Sequence, residues 1–350
     1  MLRQAFKTIL VKLRYTAHTL EFKYPFRIAL NYRTSTPVVI TELECEGIVG
    51  YGEASMPPYL GESHETVFRF LTKAKLILNE YQNPFAVEEI LQRIDALEEK
   101  NTAAKASIDI ALHDLKGKSE KRTCYESWNL LAENAPYTSI TIGMDIPEVI
   151  VKKLEDAKEY KIIKVKLGGD EDKTIINTIR TYTNKPISVD VNQGWKSKEA
   201  ALEMIYWLKE KNTLFVEQPL KKENLVDTAW LTERSPLPVI ADESMQRLVD
   251  LEKVKDCFHG INVKLMKCTG MNEAYKIIQQ AQKYNLKVLI GCMSETSCAI
   301  SAAAQLSPLV DWADLDGPLL IKNDLFDGVK FVEGRIVLNR KPGIGVERRM

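Results

Sequence analysis

Residues 162–190 read IIKVKLGGDEDKTIINTIRTYTNKPISVD. The runs 162–166 and 186–190 are short and β-rich, the segment between them has helical character, and they end on Lys166 and Asp190. Working outward, runs of the same kind occupy 139–142, 214–217, 238–242, 261–264, 287–290 and 310–315, recurring about every 25 residues. Segments of helical character, such as 200–209 and 272–284, separate them. Eight strands alternating with helices predict a (β/α)8-type barrel, for which about 200 residues suffice. A doubly wound sheet also alternates, but eight even repeats favour closure.

Upstream of residue 135 the rhythm differs. Strands are expected around 7–15, 23–30, 38–46 and 48–53; in the first, Ile9, Val11, Leu13 and Tyr15 alternate with Leu10, Lys12 and Arg14. Helices follow, and in 102–117 the apolar residues Ala104, Ile108, Ile110, Ala111 and Leu115 keep a helical spacing. Strands first and helices after predict an α+β domain over 1–134. The barrel then takes 135–325, and 326–350 forms a C-terminal segment. That segment contains a hairpin from Gly328 to Val337, turning at Glu333-Gly334, which is expected to return to the first domain.

Composition narrows the function class. A chain of 350 residues exceeds what one core usually supports. With 48 basic and 48 acidic residues, no global field attracts nucleic acid or an anionic membrane. Six scattered cysteines without a Cys-x-x-Cys pair argue against a zinc ribbon and a secreted disulfide framework, and fit reduced thiols. No apolar run approaches the ~18 residues of a membrane span. The first twenty residues are basic and faintly resemble a transit peptide, but their alternation reads as a strand, so a cytoplasmic location is expected.

Once the barrel is drawn, the charges fall at the ends of its strands. Lys164 and Lys166 end the second, Asp190 the third, Glu217 the fourth, Asp242 the fifth and Lys264 the sixth, while Asp314 and Asp316 close the eighth. Active sites of such barrels lie at that end. Any one acidic residue there is explained equally well as a helix cap. Six of eight ends carrying Lys, Asp or Glu is harder to explain so, because lysine cannot cap an N-terminus. Carboxylates from three adjacent strands, Asp190, Glu217 and Asp242, would converge and repel unless a cation neutralised them. Oxygen-only ligands suit Mg²⁺ or Mn²⁺ over Zn²⁺. Lys166 and Lys264 flank that site from opposite sides, either as salt-bridge partners or as bases. A lysine normally holds its proton too tightly for a base, and Lys164, two residues before Lys166, supplies a like charge to loosen it. The four histidines are dispersed and form no ligand pair; His64 alone lies near an expected site loop.

The set Lys164-Val165-Lys166, Asp190-Val191-Asn192, Glu217-Gln218-Pro219, Asp242-Glu243-Ser244 and Asn262-Val263-Lys264 resembles the muconate-lactonizing-enzyme subgroup of the enolase superfamily. Gly50-Tyr51-Gly52-Glu53-Ala54 resembles the subgroup's capping-domain loop, so the likeness spans essentially the whole chain. It implies that 1–134 caps the barrel, that Asp190, Glu217 and Asp242 bind Mg²⁺, and that Lys166 and Lys264 exchange the proton α to a substrate carboxylate through an enediolate. The physical logic agrees, since a metal and lysine cations stabilise charge where it develops, and bases on two faces invert the carbon.

Within this subgroup Asp314-Leu315-Asp316 resembles the Asp-x-Asp pattern of dipeptide epimerases, where two carboxylates meet a free ammonium; a solvated turn or a cap before Gly317-Pro318 is the plainer explanation. The likeness implies an isomerase acting on the C-terminal residue of a dipeptide. An o-succinylbenzoate synthase or an N-acylamino-acid racemase remains the alternative on the same scaffold. Selectivity is expected from capping loops 27–33 and 56–61, with Arg27 or Arg33 pairing with a side-chain carboxylate, or Arg27 simply at the surface. Ala-Glu, a dipeptide of murein turnover, is then the leading substrate. Thr141 is expected to touch the substrate carboxylate and the backbone around Met293 to line the site. Many proteins of the subgroup assemble, so a homo-oligomer is also implied. One departure stands out: Thr269-Gly270 occupies a place where relatives carry two glycines, so this loop is expected to differ in shape.

Overall fold

The computed structural model describes residues 11–28, 31–81 and 84–350, with side chains at all of these except 26–28 and 31. The first domain is a three-stranded antiparallel sheet, β1 (Lys12–Ile28), β2 (Asn31–Cys45) and β3 (Ile48–Ser55), covered by helices α1 (His64–Leu78), α2 (Val87–Asp95) and α3 (Thr102–Glu120). The two strands expected before residue 30 are one long strand. It pairs with β2 from Lys12↔Glu44 to Ile28↔Asn31, and its register shifts between Glu21 and Phe26. Between the two expected strands, Thr16 to Glu21 keep their partners on β2 with Leu20 buried, so the ladder runs through the expected gap before its register shifts. Residues 7–10 lie outside the described residues.

α3 is buried almost all round, because the sheet packs on one side of it and the barrel on the other. Small side chains on α3 and glycines on β3 permit that approach. A Cβ on Gly52 would stand 1.8 Å from the Ser107 carbonyl oxygen, and one on Gly50 2.2 Å from that of Ala111.

The barrel strands follow as β4 (Ser139–Ile142), β5 (Ile162–Lys166), β6 (Ile187–Asp190), β7 (Thr213–Glu217), β8 (Val239–Ala241), β9 (Gly260–Lys264), β10 (Lys287–Gly291) and β11 (Trp312–Asp314). They pair in parallel and in chain order, each within a residue or two of its expected place. The ends close through a parallel bridge between Thr138 and Ala313, and Leu315 N donates to Thr138 Oγ1 at 2.8 Å. After β11 the chain makes only one helical turn, Gly317–Leu320, and then pairs Ile321 with Phe22 of β1.

The tail hairpin, Lys330–Val332 with Arg335–Val337, forms as expected, but it packs beneath β4 rather than on the first domain: Gly334 O accepts from Thr138 N at 2.8 Å. The residues after it make the return. Ile344 N donates to Asp114 Oδ1 of α3, and Cys124 N to Gly343 O.

Candidate active site

Side chains alternate along a strand, so Lys164 and Lys166, two apart on β5, face the same way into the barrel mouth. Asp190 closes β6, Glu217 closes β7 and Asp242 follows β8 directly. One carboxylate oxygen of each lies within 4.8 Å of the others, and all three side chains are buried. Local backbone fixes them. Asn192, at φ 46°, donates its N–H to Asp190 Oδ1 at 3.0 Å; Gln218, at φ 38°, accepts from Asp242 N and Ser244 N through Oε1. Asn262, on the inward face of β9, donates to Glu217 Oε1 at 2.7 Å.

The lysines interleave with these acids. Lys166 Nζ is 2.6 Å from Asp190 Oδ2, and Lys264 Nζ is 2.7 Å from Asp242 Oδ2. β5 and β9 stand four strands apart in an eight-stranded ring, so the two ammonium groups approach the site from opposite sides. Lys164 has more partners than the like-charge role foreseen for it: its Nζ lies 2.8 Å from Glu217, 3.2 Å from Asp190 and 2.7 Å from Asp314. Burial pulls its proton affinity down, but these three acids outweigh that and hold it well above the usual lysine range. Lys264 is likewise held high, against burial, by Asp242 and its neighbours.

Lys267 was missed at the sequence level. It is buried one turn after Lys264 and donates to Asp242 Oδ1 at 2.6 Å, to Asp242 O at 2.7 Å and to Asn262 O at 2.9 Å. It grips Asp242 from behind while Oδ2 faces Lys264. The spacing Asn262-x-Lys264-x-x-Lys267 was the available signal, since a lysine without a surface needs a buried carboxylate.

Asp314 and Asp316 stand at the seam between β11 and β4. Ser139 Oγ donates to Asp314 Oδ1 at 2.8 Å, and Thr141 N donates to Asp316 Oδ2 at 2.6 Å. Thr141 therefore holds Asp316 and stands beside Lys164 on the neighbouring strand.

A cavity of ≈180 Å³ joins these groups, lined by Lys164, Lys166, Lys264, Asp314, Asp316 and Thr141 and by Cys292, Met293 and Ser294 after β10. Arg33, Pro57, Pro58 and Tyr59 enter from the first domain, and the Tyr59 hydroxyl meets Met293 Sδ at 3.2 Å. Arg33 bonds Thr36 Oγ1 at 3.4 Å and meets no carboxylate among the described residues; burial lowers its proton affinity. The side chain of Arg27 lies outside the described residues. His64 takes no part, since its Nε2 sits between the carbonyls of His18 and Val38.

Charge is unbalanced here. Asp190, Glu217, Asp242, Glu243, Asp314 and Asp316 face Lys164, Lys166, Lys264, Lys267 and Arg33, so acidic groups outnumber basic ones in the barrel mouth. The surplus shows in Glu217, Glu243 and Asp316, each pushed up to about 7 by burial first and then by a neighbouring carboxylate. Glu243 Oε2 and Asn192 Oδ1 are buried with no hydrogen-bond partner. An all-oxygen triad, a surplus of acidic groups and orphaned acceptors beside it fit a hard divalent cation.

The chain holding this site matches the family described as mandelate racemase/muconate lactonizing enzyme, N-terminal domain, over residues 10–126, and the enolase C-terminal domain-like family over 149–350. It is 54% identical to an L-Ala-D/L-Glu epimerase of Bacteroides thetaiotaomicron over 96% of this chain and 88% of that one. Among solved structures it resembles the dipeptide epimerase of Enterococcus faecalis complexed with Mg and L-Leu-L-Tyr: TM-score 0.90, 30% identity, 97% of this chain and 100% of that one. A substrate-liganded L-Ala-D/L-Glu epimerase of Bacillus subtilis aligns with TM-score 0.91 and 26% identity over 98% and 100% of the two chains. Capping sheet, barrel and carboxylate triad thus carry one family signature from end to end: the chain belongs to the mandelate racemase/muconate lactonizing enzyme family of the enolase superfamily.

Proposed function

We propose that the chain is a metal-dependent dipeptide epimerase that inverts the α-carbon of the C-terminal residue by two-base 1,1-proton transfer, acting on Ala-Glu-like dipeptides. One observation carries the reading: Lys166 and Lys264 face each other across a cavity with a carboxylate triad at its base and the Asp314–Asp316 pair at its side. Asp190, Glu217 and Asp242 would hold the cation, for which Mg²⁺, present in the solved complexes of the Enterococcus faecalis and Cytophaga hutchinsonii dipeptide epimerases, is the first choice and Mn²⁺ a chemical equivalent. When bound, it would balance the triad, accept the substrate carboxylate and the charge growing beside it, and loosen the hold of Asp242 on the Lys264 proton.

The chain's own groups do the rest. One lysine amine takes the α-proton as the C–H bond breaks, and the electron pair moves onto the substrate carboxylate as an enediolate. The opposite lysine returns a proton to the other face. Lys164, fixed among three acids, stays cationic and offsets the developing charge. The substrate ammonium meets Asp316, which accepts from Thr141 N while Lys164 is bonded to Asp314. An N-acyl or succinyl group brings no such cation, which favours a dipeptide over the racemase and synthase alternatives. Arg33, lacking an acid partner among the described residues, would pair with the side-chain carboxylate of a C-terminal glutamate. An Ala-Glu substrate would place the enzyme in murein-peptide turnover, and six free cysteines suit a reducing cytoplasm. Homo-oligomeric assembly, common in the subgroup, is read by light scattering.

The test is α-proton exchange of L-Ala-L-Glu in D₂O with Mg²⁺, followed by NMR. Exchange confined to the glutamate, abolished by EDTA and lost in both Lys166→Ala and Lys264→Ala, is the expected result. Undiminished epimerisation by either variant would overturn the two-base reading.

A further inference from the structure

A second cavity, ≈240 Å³, adjoins the catalytic one, and Thr141 and Leu320 line both. It lies on the outward side of the β4–β11 seam, beneath β1, and its apolar walls include Phe22, Ile142, Ala157, Tyr160 and Leu319. These walls are anchored. Phe22 bridges Ile321, Lys322 N donates to Glu21 O, and Asn323 Oδ1 accepts from Glu21 N, so β1 is sewn to the segment that follows Asp316. The charged groups at its far side are already paired: Asp156 Oδ2 accepts from the Tyr24 hydroxyl at 2.7 Å, and Lys153 meets Asp145 at 3.0 Å. Lys23 is a further charged group of the lining and lies exposed at its rim, while the deeper walls offer a ligand apolar surface.

Its position relative to Asp316 gives it a use. Thr141, common to both cavities, donates its N–H to Asp316, the carboxylate argued above to meet the substrate ammonium. An ammonium held by Asp316 would bring its own α-carbon toward Thr141, where the two cavities meet. The Tyr160 hydroxyl is pushed up to about 12 by burial and then by Asp316, which places this wall within electrostatic reach of the same carboxylate.

We propose that this cavity is the side-chain subsite for the N-terminal residue of the dipeptide, and that it admits large apolar side chains, such as leucine, as well as alanine. The inference rests on the dipeptide reading and extends it from the inverted residue to the uninverted one. Selection at the two ends is then divided: Arg33 acts on the C-terminal side chain, and the walls beneath β1 act on the N-terminal one.

The experiment compares L-Ala-L-Glu, L-Leu-L-Glu and L-Asp-L-Glu by α-proton exchange with the Mg²⁺-loaded enzyme, and repeats the series in Ala157→Leu, which fills the cavity, and Tyr160→Ala, which enlarges it. In the parent enzyme, L-Leu-L-Glu is expected to react with kcat/KM within about tenfold of L-Ala-L-Glu, and L-Asp-L-Glu about a hundredfold worse. Ala157→Leu should lower the Leu/Ala ratio about tenfold or more, mainly through KM, and Tyr160→Ala should raise it. A general structural defect would depress all dipeptides together and leave the ratios unmoved. Ratios unchanged in both variants, or L-Leu-L-Glu inert beside an active L-Ala-L-Glu, would overturn the subsite while leaving the epimerase reading intact. No exchange from any dipeptide would overturn both.

Discussion

Glu53→Gln should remove a pH dependence of stability that the capping domain builds into the barrel. Glu53 leaves β3 and enters the N-terminus of the barrel helix Ser297–Ala304. It accepts from Thr296 N at 2.9 Å, Ala299 N at 3.3 Å and the Thr296 hydroxyl. It is fully buried, and burial raises its carboxyl from 4.5 to about 7 although each of those bonds pulls it down. A carboxyl raised on folding keeps its proton while the unfolded chain has already released it. Its stability contribution is complete below pH 4.5 and is lost as pH rises through about 7. The full loss is about 3 kcal/mol at about 1.4 kcal/mol per pH unit, of which about 2 kcal/mol falls between about pH 5.5 and pH 8. Urea unfolding of both proteins across that interval measures it. Wild type should lose about 2 kcal/mol more than Glu53→Gln as pH rises, whatever the constant cost of the amide. A difference between the two proteins that stays flat with pH would refute the reasoning, and would mean that Glu53 is ionised throughout.

Three further outcomes follow from single positions. Lys267→Met strips Asp242 Oδ1 and two carbonyls of their donor, so Mg²⁺ affinity should fall about tenfold to a hundredfold by calorimetric titration; unchanged affinity would remove Lys267 from the site. Thr269→Gly should stabilise the protein by about 0.5–1 kcal/mol in urea unfolding, because a β-branched residue is held at φ 62° and glycine relieves that at a smaller entropic cost; a destabilised variant would show that its bond to Glu273 matters more. Gly52→Ala should cost about 3 kcal/mol, since its Cβ would stand 1.8 Å from a backbone oxygen of α3; a near-neutral effect would mean that α3 can slide from the sheet.

The barrel was legible because its strands are short, evenly spaced and end on charge, and those are properties of consecutive residues. The ends of β5, β6, β7 and β9 fall on Lys166, Asp190, Glu217 and Lys264 as expected, and parallel pairing in chain order brings their side chains to one mouth. Boundaries in the first domain were less legible. No glycine or proline marks Thr16 to Phe22, and the pairing of Thr16 to Glu21 with β2 carries the ladder through that stretch before the register shifts around Pro25. Thr269 teaches a related lesson. Its backbone adopts φ 62° despite the β-branched side chain, in a loop whose following helix start at Met271 is held by Asp109 from α3.

By itself, then, the sequence determined the strand–helix rhythm, the register of the strand-end charges and the family to which those motifs belong, all of which are encoded within a few residues of one another. Tertiary structure decided the partners. Lys164 lies 150 positions from Asp314, Thr141 175 from Asp316, and Glu53 243 from Thr296. No periodicity reports such pairings, since they exist only after the barrel closes and the cap is stitched to it. Burial then removes water as a competing partner, so each of these charges must be answered by a specific group in the fold.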